Sequence, residues 1–338
     1  MSDRPESWSR REFVSGLTLA GTAGLLGVKP APVAAEPPPE TTRIRLRQGV
    51  SSCQAPFNMA GEFLVEEGFA DVEYVRTEFG VAAPLLARGE IDLGMNFVGP
   101  SLIRLEAGDP AVILAGVHVG CFELVVSERV RSIRDLKGKT VAVRWVGGPE
   151  HVFLASMVSY VGLDTQKDIS WVTHSLEDSV RLLAEGKIDA VLAFPPLTQE
   201  LREKKIGRLL VSSVMDRPWS QYFCCMVVGH PDFVRTHPVA TKRALRAILK
   251  AANVCAVRPD QAARFLVDKG FAQRYDKALQ LMKDIPYGKW PEYDPEDTVR
   301  FYALRLREAG MIKSSPQKII AQGTDWRFLN ELKKELKG

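Results

Sequence analysis

The sequence predicts an α/β protein built as two lobes of like plan, and three observations carry that reading. A phrase occurs twice: residues 85–97 read LLARGEIDLGMNF and residues 182–194 read LLAEGKIDAVLAF, identical at seven of thirteen positions with an offset of 97. In both copies a helix closes on glycine, Gly89 or Gly186, where a left-handed C-cap favours it, and a buried strand follows from Ile91 or Ile188. The segments ahead of the copies also correspond, since residues 44–50 (IRLRQGV) and 140–146 (TVAVRWV) each read as a strand opening into a small-residue turn and a helix. Finally, a chain of about 300 residues usually divides into two cores. A ligand held between such lobes touches the loops at the C-terminal ends of the strands.

The first 35 residues read as an address rather than as fold. Ser9, Arg10, Arg11, Glu12 and Phe13 fit the twin-arginine export pattern, and residues 14–28 are apolar but diluted by four glycines. That run is too short for a stable membrane span. Val33, Ala34 and Ala35 supply small residues for cleavage after Ala35. Twin-arginine export implies the periplasm or the cell exterior. Residues 36–43 form a linker stiffened by Pro37, Pro38 and Pro39.

The remaining chain carries 41 basic against 38 acidic residues, a balance that makes neither nucleic acid nor a membrane surface the default partner. Five cysteines, Cys53, Cys121, Cys224, Cys225 and Cys255, leave at least one thiol free; most read as small buried hydrophobes, with a bridge from Cys121 to Cys224 or Cys225 as the alternative. No CxxC, HxxxH or HExxH spacing occurs, so neither a metal nor a cofactor is expected.

Along the chain, residues 44–50, 72–77, 91–97 and 111–117 read as strands alternating with helices from Pro56, over 81–88 and over 100–106, which predicts a mostly parallel sheet. Residues 121–127 (CFELVVS) and 222–229 (YFCCMVVG) break that rhythm and bracket the second lobe; they are read as the two hinge strands. The first lobe is therefore expected over 44–120 plus 223–338, and the second over 121–222. Beyond Pro231, Leu245, Ile248, Leu249, Ala252 and Cys255 line one face of a long helix, with Arg243, Arg246 and Lys250 expected in solvent. Residues 285–295 are too proline-rich for a helix, and their aromatics Tyr287, Trp290 and Tyr293 are expected over sheet edges; helices over 296–309 and 325–337 end the chain.

Candidate site residues lie in the strand-exit loops. Gly147, Gly148 and Pro149 open a helix through His151, where free backbone N–H groups suit an anion or simply make a tight turn. Arg144 needs a carboxylate-like partner, either the ligand or a neighbouring Asp or Glu. Ser51, Ser52, Gln54, Asn96 and the turn at Gly99 offer neutral polar groups, and His118 and His151 offer hydrogen bonds. Phe97, Phe194, Trp219 and Tyr222 offer aromatic surface, or ordinary packing. Asp92 and Asp189 stand at the far ends of their strands and read as caps there.

The run from Asp135 to Val143, DLKGKTVAV, resembles the opening of the second lobe in bacterial solute-binding proteins. Gly147 to Leu154 (GGPEHVFL), Phe97 to Pro100 (FVGP) and Ile188 to Val191 (IDAV) are similar to the nitrate, sulfonate and taurine type of ABC transporter binding protein. The resemblance covers most of residues 44–230. It implies a type II periplasmic-binding-protein-like fold, two α/β lobes joined by two crossing strands, with no catalytic constellation. It also implies a small, anionic solute as ligand, an ABC permease of the inner membrane as partner, and a monomer. Where this chain has Phe194, Pro195 and Pro196, the family often has an acidic residue between aromatic and proline. The fold also resembles the fungal pyrimidine precursor synthases of thiamine biosynthesis, which keeps an enzyme as the alternative, beside a sensor or a carrier for another transporter.

Overall fold

The computed structural model describes residues 36–49, 51–76 and 82–336, and its strands fall into two five-stranded sheets. β1 (Arg43–Gln48), β2 (Asp71–Arg76), β3 (Leu93–Phe97) and β4 (Val112–Val119) build the first. The chain then crosses to the second, β5 (Glu123–Val126), β6 (Lys139–Val143), β7 (Ile169–Thr173), β8 (Ala190–Ala193) and β9 (Arg208–Ser212), and returns as β10 (Phe223–Gly229). The orders are β2-β1-β3-β10-β4 and β7-β6-β8-β5-β9. β1 pairs in parallel with β2 and β3, and β6 with β7 and β8. β10 and β5 run antiparallel to both their neighbours. Each sheet is therefore mixed where a mostly parallel one was expected. The inserted strands are the two crossing segments, and their uninterrupted burial is what a central strand covered on both faces requires.

The repeated phrase folds the same way twice. α1 (Ala55–Glu66) and α2 (Ala82–Ala87) precede Gly89, whose φ is +65°; α3 (Val98–Glu106) and α4 (Pro149–Tyr160) follow, and α5 (Leu176–Ala184) precedes Gly186 at +68°. Gly89 and Glu90 donate to the carbonyls of Leu86 and Leu85, and Gly186 and Lys187 to those of Leu183 and Leu182, so both helices end in the same left-handed cap. Three residues later the aspartates repeat a role as well. Asp92 accepts from the Arg45 N–H at 2.7 Å and Asp189 from the Thr140 N–H at 3.1 Å, each fastening the start of its strand to a neighbour, as read from sequence.

The C-terminal part is helical: α6 (Leu197–Glu203), α7 (Pro231–Thr236), α8 (Pro238–Val257), α9 (Pro259–Asp268), α10 (Tyr275–Asp284), α11 (Pro295–Glu308), α12 (Pro316–Gly323) and α13 (Arg327–Glu335). Leu245, Ile248, Leu249, Ala252 and Cys255 are buried, and α8 packs chiefly on α1. Two expectations need correction. Arg243, Arg246 and Lys250 are not free in solvent. Glu67, buried just beyond α1, draws them in: its carboxylate lies 2.6 Å from Arg246 and 2.9 Å from Lys250, and Arg243 donates to its carbonyl at 2.8 Å. A desolvated carboxylate needs such partners. Nor does Trp290 cover an edge; it is in the core, donating to the Asn253 side chain, whereas Tyr287, equally buried, does pack on the edge strand β4, meeting His118 at 5.2 Å and donating to the Cys53 carbonyl.

Replacing Glu67 by Gln strips the carboxylate from a buried cationic pair. The unfolding free energy in a urea titration should fall by roughly 3 kcal/mol. A loss under about 1 kcal/mol would show that Glu335, which also pairs with Arg246 at 3.0 Å, and water suffice for the cations.

Candidate functional site

Loops leaving the C-terminal ends of β1, β7 and β8 meet the α9–α10 connection around a cavity of about 400 Å³. Ser52 arrives from β1, in the short 3-10 turn Ser52–Gln54, and its hydroxyl donates to the Phe271 carbonyl at 3.1 Å. Glu177 comes from the first turn of α5, and Pro195, Pro196, Gln199 and Glu200 from the end of β8 and the start of α6. Phe271, Gln273, Arg274 and Lys277 close the far side. Gln199 donates to the Lys277 carbonyl at 3.2 Å, while its Oε1 is buried with no hydrogen-bond partner and is available to a donor. Lys277 is paired with Glu203 and Arg274 with Asp276. The lining thus sets two carboxylates, Glu177 and Glu200, against two cations.

Of the fourteen residues singled out in the sequence, only Ser52 lines this cavity. Asn96, Gly147 and Gly148 line a second hollow of about 140 Å³ with Ser101, Arg104 and Trp145. There the Asn96 amide donates to Ser101 Oγ at 2.8 Å and its Oδ1 is left without a partner. Gly99 serves packing: a Cβ on it would sit 2.7 Å from Phe97 and 2.8 Å from Val152.

Arg144 and the α4 N-terminus share one internal partner. Arg144 Nε donates to Glu150 Oε1 at 2.8 Å, and its guanidinium lies over Phe194 and Trp145. Glu150 occupies the first turn of α4, so the negative group served by both the arginine and the helix N-terminus belongs to the chain itself. Of the alternatives open for Arg144, the neighbouring carboxylate is the one present. Burial raises the Glu150 carboxyl, with Arg144 pulling the other way. His151 accepts from the Gly147 N–H at 3.1 Å and packs on Trp171; burial pushes its imidazole down to about 4.

The remaining candidates pack inward. Phe97 at the end of β3 meets Phe122 and Phe153 edge-on at 5.5 and 5.2 Å; Phe122 in turn stacks on Phe153 and touches Phe194. Trp219 packs on Phe153, and Tyr222 stacks on Phe301 at 3.9 Å. Ser51 lies against Cys53 at 3.1 Å, and Gln54 is buried with its side chain against Gly49. His118 is 1 % exposed. Burial opposes its charge, yet the adjacent Cys225 raises it to about 10. The cavity residues that sequence reasoning missed, among them Gln199, residues 270–274 and Lys277, lie on helices and a helix connection. The available signal was Pro195-Pro196, noted only as a departure from a family pattern.

Residues 38–267 match the model of the NMT1-like family. No curated protein sequence matches the chain. Among solved structures, the periplasmic nitrate-binding protein of Synechocystis PCC 6803 superposes with a TM-score of 0.72 at 17% identity, over 89% of this chain and 90% of that one. The periplasmic sulfonate-binding protein assigned to a sulfonate ABC transporter in Methylobacillus flagellatus gives 0.66 at 20%, over 88% and 96%. The alkanesulfonate-binding protein of Xanthomonas axonopodis pv. citri, bound to MOPS, gives 0.64 at 17%, over 87% and 100%. At such identities the likeness is one of fold, and it establishes the periplasmic-binding-protein-like architecture. Among the described residues no helix is long and apolar enough to cross a membrane.

His151 makes stability depend on pH in a defined window. Its folded value of about 4 lies below the ordinary 6.5, so its contribution is complete above 6.5 and is lost as pH falls toward 4. Glu150, shifted upward, works in the opposite direction: its contribution is complete below its ordinary value and is lost as pH rises through the folded one. Replacing His151 by Gln, which keeps an acceptor for Gly147, should remove up to roughly 3 kcal/mol of the decline between pH 6.5 and 4 in urea midpoints. An unchanged decline would assign it to other groups.

Proposed function

The chain belongs to the NMT1-like family, and on that footing we propose that it is an extracytoplasmic solute-binding protein that hands a small polar solute to an ABC permease of the inner membrane. One observation carries the reading: the cavity of about 400 Å³ is lined by loops from both sheets and by the C-terminal helices, at the strand ends where open α/β sheets bind ligands. Solute touching both halves favours their approach, and a permease that recognises the closed shape completes the cycle. The halves are assigned as 44–120 plus 223–338 and 121–222. Delivery to the periplasm by the twin-arginine route rests on residues 1–35, which lie outside the described residues.

The solute class follows from the lining. An anion was expected from Arg144 and the α4 N-terminus, but Glu150 serves both. The cavity itself carries two acids, Glu177 and Glu200, and two cations already paired with Glu203 and Asp276, around the Gln199 amide and the Ser52 hydroxyl. A polar solute bearing both charges, or an uncharged amide or heterocycle, suits it better than a bare anion. The carrier is preferred to a synthase, and the solute acts as cargo rather than as a reactant.

A thermal-shift screen of amino-sulfonates, amino acids, simple anions and nitrogen heterocycles tests this. A true solute raises the melting midpoint in proportion to the logarithm of its concentration above the dissociation constant. Ala272→Trp, which fills the cavity, should abolish that rise while leaving the solute-free midpoint within about 3 °C. Stabilisation that survives in Ala272→Trp places binding elsewhere. A Schiff-base absorbance with pyridoxal phosphate, accompanied by product, favours the enzyme.

A further inference from the structure

Consecutive residues of a strand normally point to opposite faces. Cys224 and Cys225 depart from that rule because β10 slips against β4: Phe223 stands opposite Val119 and Cys225 opposite His118, leaving Cys224 as the extra residue of a bulge. Both cysteines consequently reach Cys121. Its sulfur is 3.1 Å from that of Cys224, and the sulfurs of Cys53, Cys121 and Cys225 lie within 4.8 Å of one another, all buried. The three come from different places: the turn after β1, the first crossing, and β10.

His118, on β4, stands beside the three sulfurs without belonging to their 4.8 Å group. Its Nδ1 meets the carbonyl oxygens of Val119 and Gly120 at 3.2 and 3.1 Å, and since carbonyls only accept, Nδ1 carries a proton. Its Nε2 is buried without a regular hydrogen-bond partner and is turned to the thiols of Cys225 and Cys53. An imidazole steadied by a carbonyl on one nitrogen, with the other facing thiols, is arranged as metal-binding histidines are. Arg47, fully buried with Nη1 on the Met95 carbonyl, lies close enough to Cys225 and Cys53 to sense their charge.

We propose that Cys53, Cys121, Cys225 and His118 form a site for one divalent thiophilic cation of the zinc class. Three thiolates and one imidazole are a zinc donor set; tetrahedral bonds of about 2.3 Å place sulfurs about 3.8 Å apart, within reach of three sulfurs that already lie within 4.8 Å of one another, and His118 closes in from beside them as the fourth ligand. Charge favours a divalent ion over a monovalent one. Three thiolates and a dication leave a single negative charge, whereas a monovalent ion leaves two in a dry interior. The bound ion ties β1, β4, the first crossing and β10 together. These observations stand independently of the solute-binding reading.

The test uses the full chain, reduced with a phosphine, stripped with a chelator, and titrated with Zn²⁺ against a chromogenic competitor. One ion should bind per chain with a dissociation constant in the range of about 10 nM or tighter. Co²⁺ in its place should give the intense sulfur-to-metal charge-transfer band of thiolate ligation. Cys225→Ser and Cys53→Ser should weaken binding about 100-fold or more. Cys255→Ser, altering a buried cysteine on α8 outside the cluster, should bind as the unaltered chain does. The proposal fails if no ion is retained, if binding is that of an adventitious ion unaffected by Cys225→Ser, or if the cobalt spectrum lacks the thiolate band. It fails equally if Cys121 and Cys224 are recovered as a disulfide that the phosphine does not open, since that bond removes Cys121 as a ligand. Should the serine variants not fold, the cobalt spectrum of the unaltered chain decides.

Discussion

The Ser213 hydroxyl accepts from the backbone N–H groups of Cys121 and Phe122 at 3.1 and 2.9 Å and donates to the Phe122 carbonyl at 2.8 Å. Those donors belong to a stretch that has left β4 and not yet joined β5. Its backbone is held in positive φ, +69° at Gly120 and +146° at Cys121, so no ladder partner is at hand. Buried N–H groups left unsatisfied cost about 1–3 kcal/mol each. One side chain therefore closes the outgoing crossing against the returning one. The central antiparallel strand of each sheet hangs from this junction: β5 on its outgoing side, β10 on its returning side.

Charge around the α4 N-terminus is settled internally in a comparable way. An arginine, a helix start and two glycines form a convincing anion site until Glu150 is counted, and that carboxylate then satisfies both positive features at once. The cavity beyond β8 differs: an amide oxygen without a partner and a serine hydroxyl lie there among two carboxylates and two cations already paired elsewhere. Contacts such as Phe97 at the end of β3 with Phe153 of α4 join elements that follow strands of the two sheets through aromatic surface.

The doubled phrase was legible because its physics is local. A glycine in the left-handed region ends each helix wherever the chain places it, and a capping aspartate immediately before the next strand needs only a neighbouring N–H. Strand and helix identity over residues 43–126, and the apolar face of α8, follow from periodicity for the same reason. The two crossing segments could be recognised by composition, and the two-sheet architecture with them.

Long-range pairing lay beyond that reach. Whether Arg144 met a solute or Glu150, and whether Arg246 met water or Glu67, depends on which side chains become neighbours once desolvated, and no spacing encodes it. The cavity escaped because its walls come from segments up to some 220 residues apart, joined where Ser52 meets Phe271 and where Gln199 meets Lys277. The sequence offered Cys121 beside Cys224 or Cys225 only as an alternative; that both reach it together, with Cys53, depends on a bulge of one residue in β10. Sequence by itself determined the class, the repeat, the crossings and the caps, since these are set within a few residues. Tertiary structure alone decided which charges are spent on one another and which polar groups are left for a ligand, because burial, not sequence distance, sets the strength of those interactions.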